Sequence, residues 1–161
     1  MRFILLLFIG MLLPLLAVQA QQVPANKALP KVINVSQNST VLEELSNQYQ
    51  SSLFSASDTN FVATVKNWRG FLIAMEQYSE AINFDIKGVK VWLKVFWDKN
   101  GNIDYIAYAL SGRSINIDVV EWEAFLRSFM LNNKLALQHT RGFTYDGRIM
   151  FPLSYSLPKG K

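Results

Sequence analysis

The sequence predicts an α+β domain: a small antiparallel three-stranded sheet with two main helices packed on one face, preceded by an arm and a short helix. Apolar residues recur at helical spacing over 58–84 and 118–131. Two stretches, 89–97 and 103–110, alternate with the two-residue period of a strand, the first setting Val89, Val91, Leu93, Val95 and Trp97 on one face and Lys90, Trp92, Lys94 and Phe96 on the other. Between them stands Asp98-Lys99-Asn100-Gly101, a turn sequence.

The first 20 residues read as a secretory leader. Arg2 precedes an almost unbroken apolar run from Phe3 to Val18, and Val18-Gln19-Ala20 supplies small residues at the cleavage positions. The mature chain would begin near Gln21 in the periplasm or outside the cell. If the leader stayed uncleaved it would be the chain's membrane anchor, since about 20 apolar residues can span a bilayer. Removing it leaves about 140 of the 161 residues, enough for one core.

Residues 21–57 form the expected arm, with Pro24 and Pro30 and little periodicity at its start. Thr40-x-x-Glu43 reads as a capping box that opens a short helix over 41–50. Ser51–Ser57 is a serine-rich joint. The main domain is expected over 58–161. Asp58 is placed to cap a helix whose Phe61, Val65, Trp68, Leu72 and Met75 share a face. Gly70 is a weak point in that helix, and Lys87-Gly88 offers a left-handed exit.

In the first strand Val89, Val91, Leu93, Val95 and Trp97 point one way. An Asn100-Gly101 two-residue turn of the mirror-image type I kind sets Val95 opposite Ile106, Leu93 opposite Tyr108 and Val91 opposite Leu110, so both apolar sets share a side. A calcium loop would need glycine at its sixth position and glutamate at its twelfth. Here glycine is fourth and Ala109 twelfth, and Asp98 and Asp104 fall on opposite faces. Asp118-x-x-Glu121 starts the second helix, with Trp122, Phe125, Leu126, Phe129 and Met130 as its stripe. Tyr145-Asp146-Gly147 reads as a turn. A last strand follows, with Ile149, Phe151, Leu153 and Tyr155 on one face, and Pro152 puts it at a sheet edge.

Composition narrows the chemistry. There is no cysteine, so neither a disulfide nor a thiolate site is expected, and the single histidine, His139, cannot build a multi-histidine metal centre. His139 beside Thr140 and Arg141 has no nucleophile motif or phosphate-cradling loop with it. No catalytic residue, metal ligand or cofactor is therefore expected. The net charge of +4 comes from scattered lysines and arginines, which suits a solvated surface better than a nucleic-acid or membrane patch, so contact with a membrane is expected only through an uncleaved leader.

Several of these features, in order, resemble the periplasmic C-terminal domain of TonB-type energy transducers over roughly residues 68–157. Tyr78, Ala81, Gly88, Val91, Leu93, Val95, Asp98, Gly101 and Ile103 look like that family's helix, strand and turn. Ser111, Gly112, Ile117 and Asp118 are similar to its second helix start, and Pro152, Leu153, Tyr155 and Leu157 to its terminal strand. Ser79 stands where the family has proline, and no proline-rich spacer follows the leader. The resemblance implies an edge strand to which a partner's extended segment adds. Arg148, Met150, Ser154 and Ser156 would then flank the added peptide.

A second expected surface is the other hairpin face, where Trp92, Phe96 and Tyr105 cluster beside Lys90 and Lys94, unless residues 21–54 fold over it. The expected partner is a protein, as an extended peptide segment or a membrane receptor; a homodimer is also possible. The alternative is a cystatin-like or nuclear transport factor-like α+β domain, with a small-ligand pocket lined by those three aromatics.

Overall fold

The computed structural model describes residues 29–115 and 117–153. The expected leader, Ser154 and Ser156 lie outside the described residues. The chain forms an α+β fold, but its sheet has five strands and is mixed, not three and antiparallel. In chain order the elements are β1 Val32–Asn34, α1 Ser39–Gln48, β2 Ser51–Ser52, α2 Leu53–Ala56, α3 Phe61–Ala81, β3 Lys90–Trp97, β4 Ile103–Leu110, α4 Val119–Asn132 and β5 Phe143–Met150. Across the sheet the order is β1-β4-β3-β5-β2. The central β3 pairs antiparallel with β4 and β5, while β1 runs parallel to β4 and β2 parallel to β5.

Both added strands come from the stretch read as an arm and a serine joint. Val32 and Ile33 are buried, which gives β1 its hold on the sheet. β1 and β2 sit on opposite edges, four strand spacings of about 4.8 Å apart. The connection between them therefore crosses the sheet, and α1, about 15 Å long, lies on the face that the other helices leave open. The Thr40 capping box is not formed. α1 starts at Ser39, and its N-cap Asn38 makes no side-chain capping bond.

The long helix α3 is capped by Asn60, whose side chain accepts the Ala63 N–H at 3.0 Å. Asp58, the expected cap, sits in the preceding turn at φ 54. Gly70 does not split the helix. It ends earlier than Gly88, in a Schellman turn: Asn83 takes φ 56, its N–H bonds the Glu80 carbonyl at 3.1 Å, and the Phe84 N–H bonds the Ser79 carbonyl at 2.8 Å. Asp118 does cap α4, accepting from Val120 at 2.8 Å and Glu121 at 3.1 Å.

The hairpin has the expected pairs, Val95 with Ile106, Leu93 with Tyr108 and Val91 with Leu110, by a different route. Gly101 alone among the turn residues has positive φ, and its N–H bonds the Asp98 carbonyl at 3.2 Å. That is a three-residue loop with a left-handed glycine, not a two-residue turn. It shifts the pairing by one residue, setting Trp97 opposite Ile103. An irregularity at Asp104 then restores Phe96 opposite Tyr105. The Asp98 carboxylate fastens the loop, accepting N–H bonds from Asn100 at 2.7 Å and Asn102 at 2.9 Å, and one from the Asn102 side chain at 2.7 Å.

The Tyr145-Asp146-Gly147 stretch is not a turn but the middle of β5, which begins at Phe143 and stops at Met150. Gly147, expected in a turn, lies instead under Trp68 of α3, where a Cβ would stand 3.4 Å from the indole nitrogen.

The main core lies between the sheet and α3 with α4. Val91, Leu93, Val95, Ile106, Tyr108 and Phe151 all face it and are buried. Burying side chains of this size contributes about 1.5–3 kcal/mol each. A smaller core on the opposite face joins Ile33, Leu45, Phe96 and Ala107 under α1. No helix among the described residues is long and apolar enough to cross a membrane.

Candidate functional site

The phase of the β3 ladder decides which backbone groups of β5 face outward. The Ser111 N–H bonds the Lys90 carbonyl at 2.8 Å, so even-numbered residues of β3 bond β4. The Phe151 N–H bonds the Val89 carbonyl at 2.9 Å, in the same phase. Hence Phe143, Tyr145, Gly147 and Ile149 bond β3, and Thr144, Asp146, Arg148 and Met150 turn their N–H and C=O groups to the outer edge. β2 reaches only to Ser52, opposite Thr144. Beyond that point no strand among the described residues pairs with β5.

Side chains alternate with the same period. Phe143, Tyr145 and Ile149 pack into the main core. Asp146, Arg148 and Met150 project to the α1 side of the sheet, onto the half that α1 does not cover. There Trp92 is directly opposite Arg148, and Lys90 is opposite Met150. The Trp92 indole N–H donates to the Asp146 carboxylate at 3.1 Å. Arg148 is exposed, and Met150 is 39% exposed. Of the residues singled out in the sequence, the fold thus brings together Trp92, Arg148 and Met150, and adds Asp146, which the turn reading had hidden.

The expected Trp92, Phe96 and Tyr105 surface does not exist as one patch. Phe96 is fully buried beneath α1, edge-on to Tyr49 at 5.2 Å and to Tyr105 at 6.5 Å. Leu42, Leu45 and Tyr49 of α1 and its C-cap fill the space that an aromatic-lined pocket would have needed. Tyr105 is half-buried, with the Lys31 ammonium 4.6 Å above its ring, and the Lys94 ammonium donates to Ser46 Oγ at 3.0 Å. Only a signal for α1 as a sheet-covering helix could have revealed this, and its spacing of Leu42, Leu45 and Tyr49 was that signal.

Two polar contacts fix the faces around the site. Tyr49 donates its hydroxyl to Asp104, and burial together with that neighbour pushes the phenol's pKa up. Tyr108 donates to Glu123 at 2.8 Å, and burial and that carboxylate raise its phenol in the same way. Glu123 also pairs with Arg127 at 2.7 Å. Glu76 Oε1 accepts the Leu153 N–H at 2.6 Å, which ties the segment after β5 to α3 beside a cleft of about 510 Å³. His139 is half-buried; its N–H bonds the Lys99 carbonyl and its ring meets Phe143 edge-on at 6.2 Å. Among the described residues no three His, Asp or Glu side chains are grouped to hold a metal ion.

Among the described residues, fold and site together define an α+β domain in which the outer edge of β5 beyond Thr144 has no paired strand, beside a half-covered sheet face. No protein-family model matches the chain, and no curated protein or solved structure is significantly similar to it.

Proposed function

We propose that this chain is an exported, non-catalytic protein-binding module that takes up an extended segment of a partner along the outer edge of β5, from Tyr145 to Met150. The observation that carries the reading is the row of outward backbone groups at Asp146, Arg148 and Met150, beyond the end of β2. Backbone hydrogen bonds along such an edge supply affinity, and the side chains beside it supply selection. Here Arg148 and Asp146 offer opposite charges, while Trp92 and Met150 offer apolar contact. Ser154 and Ser156, proposed as flanking residues, extend that row in sequence. The resemblance to TonB-type C-terminal domains supports the same use of the terminal strand.

The test is amide exchange followed by titration with extended peptides selected from a random library on the folded chain. Asp146, Arg148 and Met150 should exchange fast while Gly147 and Ile149 are protected, and a selected peptide should slow the first three. Peptides that instead perturb α4, or slow exchange at all three outward amides before any peptide is added, would defeat the proposal. Export is checked separately: the processed protein should begin near Gln21.

A further inference from the structure

A second surface lies on α3, away from the β5 edge. The N-terminal half of this helix exposes Phe61 (71%), Val62 (76%) and Val65 (43%), with Ile73 (36%) two turns further on. Val62, Val65, Arg69 and Ile73 follow one another at steps of three and four residues, so they share the outward stripe, with Lys66 at its border. From Val62 to Ile73 the stripe is about 16 Å long at 1.5 Å per residue.

Its charges are one-sided. Between Thr59 and Met75 the only charged residues are Lys66 and Arg69, and the carboxylates Glu76 and Glu80 come only in the second half of the helix. This order is the reverse of what the helix dipole favours, which is acids near the start and bases near the end. No acidic residue lies in the first turn and no basic one in the last. Neither core packing nor helix stability accounts for exposed apolar side chains beside two cations, Lys66 and Arg69, at this end. Asp58, at the corner before the helix, is the nearest acid in sequence.

We infer that the N-terminal half of α3 docks on an anionic lipid surface, with Phe61, Val62 and Val65 entering the headgroup boundary and Lys66 and Arg69 meeting lipid phosphates. Exposed aliphatics flanked by cations on a convex helix suit a planar anionic interface. The long basic side chains can lay their stems along apolar surface while their charges stay at the headgroups. This contact is additional to any anchoring by the apolar run at 3–18.

The chain has no cysteine, so single labelling sites can be introduced in the full protein. Val62→Cys and Val65→Cys, each carrying a polarity-sensitive fluorophore, are compared with Gln77→Cys in the acidic half. The probes are vesicles of phosphatidylcholine alone and of phosphatidylcholine with an equal part of phosphatidylglycerol. The inference expects a blue shift and at least a twofold intensity gain at 62 and 65 on the anionic vesicles, with neither at 77. Adding Lys66→Glu and Arg69→Glu to Val62→Cys should abolish the response while leaving the melting temperature equal or higher. The inference is overturned by an equal shift at all three sites, by an equal response on neutral vesicles, or by no response at 62 and 65. A shift in buffer that grows with protein concentration would assign the stripe to a second copy of the chain and overturn it as well.

Discussion

The hydroxyl of Tyr49 donates to the carboxylate of Asp104 at 2.6 Å, joining the end of α1 to the irregular position of β4 across 55 residues of sequence. This bond sits where the hairpin register is restored, and Tyr49 also packs edge-on against Phe96 and Tyr105. Tyr49→Phe keeps the ring contacts and strands a partly buried carboxylate. It should cost about 1–3 kcal/mol in urea unfolding. A loss within error would show that water serves Asp104 equally well.

Gly101 and Gly70 should respond in opposite directions to alanine. Gly101 has φ +83, and a Cβ there would run into the carbonyl oxygens of Leu135 and Leu137, so Gly101→Ala should destabilise by more than about 1–3 kcal/mol. Gly70 is helical and exposed with nothing within 4 Å of a Cβ, so Gly70→Ala should add about 0.5–1 kcal/mol. Thermal melts of both variants check the pair.

Leu93, at the middle of the central strand, is fully buried. Leu93→Ala should cost about 2–5 kcal/mol. A loss below about 0.5 kcal/mol, far under the range for emptied core sites, would mean that this strand does not face the core.

Stability should fall at both ends of the pH scale. Burial works to raise the Asp98 pKa, yet the hydrogen bonds from Asn102, Asn100 and Gly101 outweigh it and hold the carboxyl below its usual value. A depressed acid stabilises the fold above the ordinary carboxylate pKa of about 3.9 and loses that contribution as pH drops through the folded value. Asp98→Asn should therefore flatten the acid limb of the stability profile. Tyr49 and Tyr108 are shifted upward. Their contribution is complete below the ordinary phenol pKa of about 10 and is lost as pH rises toward the folded values. Tyr108→Phe should reduce the slope of the alkaline limb. Chemical denaturation across the pH range reads both.

The central hairpin was legible because Val91, Leu93 and Val95 recur at a two-residue period on one face, and a slip would have turned that whole apolar set outward. That pressure fixed the pairs even though the turn was misread, since an irregularity at Asp104 absorbs the extra loop residue. β1 and β2 were not legible. Three residues and two serines are too short for any period; they join the sheet where β4 and β5 offer unpaired backbone, and β1 also buries Val32 and Ile33. β5 was placed too late in the chain because Asp146-Gly147 has turn chemistry, while the reason for a glycine there is the Trp68 indole in another element. The site inherited that error. Arg148, Met150 and Trp92 converge, but the enclosure of Phe96 depends on where α1 crosses, and no local pattern around Phe96 reports that.

The sheet's order makes its closure depend on the last strand. β3 occupies the middle, yet among the described residues one of its two flanks is filled only by β5, and β2 pairs only with β5. A chain ending at residue 142 would therefore leave one whole flank of β3 without its partner strand, so the sheet closes only when the last strand is present.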